Sequence, residues 1–123
     1  MIYGIGTDII EIDRIRRAGQ NPRFLERVFT KAERDYCLRK ADPFPSFAVR
    51  FAAKESVYKI FGDILEILPW QEIEVAVNAS GVPRIILSGN IASVAMQAGV
   101  ANVLISLSHN QTMAQAFALA CLK

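Results

Sequence analysis

Two stretches far apart in the chain carry the side chains with the clearest chemical use. These are Gly4-Ile5-Gly6-Thr7-Asp8 and Phe51-Ala52-Ala53-Lys54-Glu55-Ser56-Val57-Tyr58-Lys59. The first puts a carboxylate just after a short apolar run that reads as a strand. The second reads as a helix with Glu55 and Lys59 one turn apart. Two carboxylates on separate elements, with an ammonium nearby, are the parts needed to hold a magnesium ion against a phosphate. Mg²⁺ keeps several waters and takes one or two protein carboxylates plus phosphate oxygens, and lysine adds a compact positive charge.

Each of these residues also has a plainer reading. At about 100° per residue, Phe47, Phe51 and Tyr58 fall on one side of the helix, and Val49, Ala53, Val57 and Ile60 on another. Glu55 and Lys59 lie between these arcs, flanked by Ala48 and Ala52, so the helix is expected to be buried over most of its circumference. The small neighbours leave room for a ligand, but an (i, i+4) Glu-Lys pair on a solvated stripe fits the same pattern. Asp8 likewise fits a capping box, with Glu11 folding back three residues later.

The elements that must position these groups can be read from caps and periodicity. Residues 2–8 read as a strand, and Ile12, Ile15 and Ala18 form a helical stripe stopped by Gly19 and Pro22. Residues 24–29 continue as a short helix or turn. Thr30 with Glu33 has capping-box spacing, which predicts a helix to about residue 39. Asp42-Pro43-Phe44-Pro45 breaks it, Ser46 is a candidate start for a helix over 47–61, and Gly62 ends that helix. Ile73, Val75 and Val77 alternate as in a half-buried strand, with 84–88 as its partner across Asn78-Ala79-Ser80-Gly81. A short helix over 91–98 ends at Gly99, and 103–108 pairs with 113–119 across Asn110-Gln111. Helices gather in the first half and strands mostly in the second, so the class is α+β. There is no internal repeat, and 123 residues suit one domain, 1–123.

At 52% hydrophobic, the chain has more apolar residues than so small a domain easily hides, which points to subunit contacts. No apolar run approaches the roughly 20 residues of a membrane helix. The N-terminus lacks a basic region and meets Asp8 too soon for a signal peptide. Cys37 and Cys121 make no disulfide framework, so a reducing, cytoplasmic setting is expected. Net charge is +2, yet residues 11–40 hold nine Lys/Arg against five Asp/Glu, and the remainder five against seven. A local basic excess points to a docking surface rather than general nucleic-acid binding.

Taken in order, the motifs resemble a known family. Gly4-Ile5-Gly6-Thr7-Asp8, Glu11-Ile12-Asp13-Arg14-Ile15, Arg27 to Glu33, Arg50-Phe51-Ala52-Ala53-Lys54-Glu55, Ile73-Glu74-Val75, Gly81-Val82-Pro83 and Ser106-Leu107-Ser108-His109 follow the order seen in holo-[acyl-carrier-protein] synthases. These are the small bacterial type of 4′-phosphopantetheinyl transferase, and the resemblance runs from Met1 to about Leu119. It implies that family's fold, an antiparallel sheet with helices packed on it. The implied reaction moves the 4′-phosphopantetheine of coenzyme A onto a serine of apo acyl carrier protein, in fatty acid biosynthesis, with release of adenosine 3′,5′-bisphosphate.

The resemblance also assigns roles. Asp8 and Glu55 become Mg²⁺ ligands, and Lys59 completes the catalytic set by stabilising or protonating the departing phosphate. A metal-bound water or Glu55 itself accepts the serine proton. Arg50, Lys59, Gly62, Pro83 and His109 are the coenzyme A contacts. Arg14 is the carrier-binding arginine, with Arg17, Arg23 and Arg27 extending the patch and Arg16 between its members. The resemblance further implies a homotrimer with sites between subunits, Asp8, Glu55 and Lys59 coming from one and Arg50 or His109 from its neighbour. Three positions depart from the pattern: Gly62-Asp63-Ile64-Leu65 lacks a second glycine, Val82 stands where a basic residue is common, and Asn110 follows His109. Two other readings remain. A magnesium-dependent nucleotide-pyrophosphate hydrolase leaves the basic 11–40 segment without a purpose. A non-catalytic module binding acidic proteins or nucleic acid makes Glu55 and Lys59 an ordinary pair, although the aromatics sit at core spacing rather than among the arginines.

Overall fold

A computed structural model describes residues 1–62 and 64–123. Asp63, one of the departing positions, lies outside the described residues. The elements are β1 (Ile2–Glu11), α1 (Ile12–Ala18), α2 (Pro22–Val28), α3 (Lys31–Leu38), α4 (Phe44–Phe61), a 3₁₀ turn (Trp70–Glu72), β2 (Ile73–Val77), β3 (Pro83–Leu87), α5 (Gly89–Gln97), β4 (Val100–His109) and β5 (Met113–Leu122). The strands form an antiparallel sheet in the order β1-β5-β4 and a separate β2-β3 hairpin. The α+β expectation holds, with two sheets.

The helix α4 is the spine of this arrangement. Eleven of its eighteen residues are buried, so it is apolar nearly all round, as its sequence predicts. It starts at Phe44 rather than after Ser46, because the Asp42 carboxylate accepts the Phe44 N–H (3.2 Å) and proline is tolerated in a first turn. One apolar cluster joins its first half to α1, α2 and α3; another joins its second half to α5, β2 and β4. Along β1, Gly4, Gly6, Asp8 and Ile10 face this helix. A Cβ on Gly6 would overlap the Ser56 carbonyl, and one on Gly4 would press on Ile60. Glycine is therefore required for strand and helix to meet so closely. Ser56 seals the seam, its hydroxyl donating to the carbonyls of Ala52 (2.8 Å) and Ala116 (3.2 Å).

The register of β1 corrects the capping reading of Asp8. The strand runs on to Glu11, with Asp8 opposite Ala116, and Glu11 itself precedes α1 without a side-chain cap. The Thr30/Glu33 capping box does form. Glu33 does more than cap, because it is fully buried and its Oε1 meets Lys54 Nζ at 2.8 Å. Lys54 also donates to the carbonyls of Trp70 (2.8 Å) and Ile73 (2.6 Å), while the Val75 N–H donates to Glu33 Oε2 (2.8 Å). Desolvation holds the Lys54 pKa below its ordinary value, and Glu33 opposes that shift. Residues 70–73 thus form a crosspiece. Trp70 packs against Phe51 with ring centroids 4.8 Å apart, and Glu72 accepts the Ile91 N–H (3.1 Å) at the start of α5.

Candidate active site

Because Gly6 lets α4 press on β1, the next inward residue, Asp8, lies beside the exposed stripe of the helix. Lys59 Nζ donates to Asp8 Oδ1 (3.0 Å) and to the Thr7 carbonyl (2.9 Å). The Asp8 side chain is mostly shielded and Lys59 half exposed. Glu55 is partly buried one turn before Lys59, and no hydrogen bond ties its carboxylate to the described residues. Burial raises its pKa above the ordinary carboxyl value, and the Asp8 charge raises it further; Lys59 and Arg14 pull the other way. Two carboxylates share one seam with a single ammonium in contact.

That donor set fits a hard divalent cation. Two carboxylates on different elements suit Mg²⁺, which draws its other ligands from water and phosphate. Among the described residues, no cluster of three or more His, Cys, Asp or Glu comes together, so a closed protein cage is not what the residues build. At this seam Lys59 and Arg14 are exposed, and Asp8 and Glu55 are partly buried.

The other expected site residues are placed elsewhere. Gly62 follows α4 immediately, one turn beyond Lys59. Arg50 is buried on α4, stacked on Tyr36 at 4.5 Å, with its Nη1 donating to the Ser46 carbonyl (3.0 Å) and its Nε unpartnered. It lines a cleft of about 210 Å³ with Tyr36, Arg39 and residues 74–77. Pro83 opens β3 beside exposed Val82. His109 ends β4 opposite Ala114, over a cavity shared with Arg16, Asp42 and Pro45. Asp8 and His109 are separated by β5, roughly 10 Å across the sheet at ordinary strand spacing. Within one chain, then, Asp8, Glu55, Lys59 and Arg14 are brought together, and Arg50, Pro83 and His109 are not.

The arginines divide in the same way. Arg14, Arg17, Arg23 and Arg27 are exposed on α1 and α2, and their guanidinium groups make no ion pair with the described residues. Arg16 is instead paired at the surface, bidentate to Asp42 at 2.9 and 3.0 Å. The buried Glu33–Lys54 pair and the Gln71 bonds to α2 have no counterpart in the sequence reading. Lys54 sits inside the quoted motif, but nothing in its spacing distinguishes a buried lysine from a solvated one.

Two carboxylates and a lysine at one strand–helix seam are groups suited to a metal-bound phosphate ester. The chain belongs to the 4′-phosphopantetheinyl transferase superfamily, whose family model matches residues 4–120. It is 42% identical over 122 residues to a holo-[acyl-carrier-protein] synthase of Desulforudis audaxviator, covering 98% of this chain and 93% of that one. The corresponding protein of Chlamydia muridarum is 45% identical, with 97% and 94% covered. Among solved structures, the holo-[acyl-carrier-protein] synthase of Neisseria meningitidis superposes with a TM-score of 0.88 at 30% identity, covering 98% and 99% of the two chains. The Bacillus anthracis synthase in complex with CoA (3′,5′-ADP) gives 0.83 at 32% identity, covering 100% and 99%.

Proposed function

We propose that this protein is an Mg²⁺-dependent holo-[acyl-carrier-protein] synthase. It transfers the 4′-phosphopantetheine of coenzyme A to a serine hydroxyl of apo acyl carrier protein in fatty acid biosynthesis. The observation that carries this reading is the convergence of Asp8, Glu55 and Lys59 at the β1–α4 seam, in a chain of this family. Asp8 and Glu55 would hold Mg²⁺, which when bound supplies positive charge to the pyrophosphate. The serine oxygen forms the new bond to the phosphorus that bears the pantetheine arm as its proton passes to a water or to the Glu55 carboxylate, and the bond from that phosphorus to the bridging oxygen breaks. Adenosine 3′,5′-bisphosphate departs. Such a transfer needs positioning and charge stabilisation more than covalent help from the protein. Lys59, released from Asp8, meets the charge that develops on the departing phosphate. Gly62, Arg50, Pro83 and His109 take the rest of coenzyme A.

Arg14, Arg17, Arg23 and Arg27 dock the acidic carrier next to the seam. This patch favours a protein acceptor over water, since a hydrolase has no use for it. The placement of His109 across β5 from Asp8, and of Arg50 buried against Tyr36, supports a site completed by a second subunit. The outer face of the three-stranded sheet supports the same assembly. Ile5 (60% exposed), Leu119 and Leu104 (54%) form one cross-strand row, with Phe117 and Ile9 beside them. A row of this kind marks an interface; the number three comes from the resemblance. A cytoplasmic setting fits Cys37 and Cys121, both free, and no helix of the described residues is long and apolar enough to cross a membrane.

The test is incubation with coenzyme A, Mg²⁺ and an apo acyl carrier protein, read by carrier mass. The expected result is a gain of one phosphopantetheine with release of adenosine 3′,5′-bisphosphate. Cleavage of coenzyme A with the carrier unchanged would make the protein a pyrophosphate hydrolase.

A further inference from the structure

We propose that Gln71 is the positioning residue that sets the carrier-docking helix α2 against the catalytic helix α4. The inference rests on the docking role given above to Arg23 and Arg27. The helix α2 has only seven residues, of which Val28 alone is fully buried. A helix so short does not hold its shape or direction without tertiary ties. Its last carbonyls have no partner within the helix, and Gln71 reaches them from the crosspiece. Gln71 Nε2 donates to the carbonyls of Glu26 (2.7 Å), Arg27 (3.2 Å) and Phe29 (2.9 Å). Because carbonyls only accept, the amide must present its nitrogen here, and no other orientation makes these bonds. Arg34 shares two of the three acceptors, Glu26 (3.4 Å) and Phe29 (2.7 Å), but the Arg27 carbonyl takes a side-chain donor from Gln71 alone among the described residues.

The crosspiece that carries Gln71 is itself fixed to α4. Trp70 and the nearby Ile73 give their carbonyls to Lys54, the residue immediately before Glu55. A continuous chain of contacts therefore runs from Glu55 through Lys54 and the crosspiece to the backbone that bears Arg27. Gln71 fixes where the docking guanidinium groups stand relative to the seam, without touching substrate.

Gln71→Met keeps the size and neutrality of the side chain and removes both donors. It should raise the KM for carrier protein roughly five- to tenfold, the effect of losing about one net hydrogen bond. The kcat and the KM for coenzyme A should stay within about twofold, and the thermal melt should remain cooperative. The salt dependence of the carrier KM should persist, because the charges remain. In an Arg23→Ala/Arg27→Ala background the same substitution should change the carrier KM by less than twofold, since its effect passes through those arginines. If the arginine pair matters but Gln71→Met leaves the carrier KM unchanged, or shifts both KM values alike, this inference fails and the docking reading stands. If Arg23→Ala/Arg27→Ala leaves the carrier KM unaltered, the docking role of α2 fails, and the inference with it.

Discussion

The surroundings of Glu55 disfavour its charged form. Burial and the neighbouring Asp8 raise its pKa above the ordinary 4.5, so the folded protein holds this proton more tightly than the unfolded chain does. Stability attached to the protonated form is present at low pH and lost as pH rises from about 4.5 through the raised value. Glu55→Gln is therefore expected to melt at a higher temperature than the wild type at pH 7, the gap closing below about pH 4.5. Millimolar Mg²⁺ should raise the wild-type melt and leave the Gln variant unmoved. Transfer should fall by about 100-fold or more in Glu55→Gln and in Asp8→Asn, as when a charge-stabilising group is removed. Near-normal turnover of both variants at limiting Mg²⁺ would overturn the metal assignment. At this scale the sequence was informative about residue type: Asp8, Glu55 and Lys59 stand out by their motifs. It said nothing of the Lys59 bonds to Asp8 and Thr7, or of the burial of Arg50, because these depend on how closely two elements approach.

At the scale of elements, the β1–α4 seam decides how far Asp8 stands from Glu55. The glycines at 4 and 6 were legible as a motif, and their reason emerges only when Ser56 and Ile60 are found against them. Gly6→Ala should force the helix away from the strand. The expected loss is about 1–3 kcal/mol of stability, with a larger fall in transfer than in coenzyme A binding; unchanged melting and turnover would show that the seam has slack. The capping box proposed for Asp8 failed for a related reason. Local spacing cannot tell a helix start from a strand whose hydrogen bonds go to β5, over a hundred residues away. The Thr30/Glu33 box, by contrast, was legible because both of its bonds are local. On α1, Arg17→Glu should raise the carrier KM tenfold or so with little change for coenzyme A, and Arg14→Glu should do likewise. Equal effects on both substrates would remove this face from docking.

For the whole molecule, the apolar surplus read from composition is found again as the row of exposed Ile5 and Leu104 with half-buried Leu119 between them and exposed Phe117 beside it. Composition revealed that apolar surface would be left over; only the register of three strands shows that it gathers on one face. Leu104→Glu, at the β4 end of that row, should shift the assembly toward monomer in light scattering and lower transfer in proportion. Mixing Glu55→Gln with His109→Ala chains should restore some activity, since some interfaces then hold both intact residues. A monomer that transfers at full rate would dismiss the shared site. The division into two sheets was not legible, because the strand periodicity of 73–77 and 84–88 is the same whether or not a third strand lies alongside.

The buried Glu33–Lys54 pair has a consequence for aggregation. On the side of β2 away from β3, the Val75 N–H meets Glu33 and the Ile73 carbonyl meets Lys54. One acceptor and one donor are thus offered to that border much as an adjoining strand would offer them, and an open strand border is a template for pairing with another molecule. Many buried ion pairs can be exchanged for apolar side chains without loss. Here Glu33→Leu with Lys54→Met would strip four backbone groups of their partners, the N–H groups of Thr30 and Val75 and the carbonyls of Trp70 and Ile73, and each buried group left unpaired costs about 1–3 kcal/mol. The double variant should be less stable, lose protection from hydrogen exchange at the Val75 amide, and precipitate on concentration. A double variant as stable and soluble as the wild type would show that the ions are not standing in for a strand.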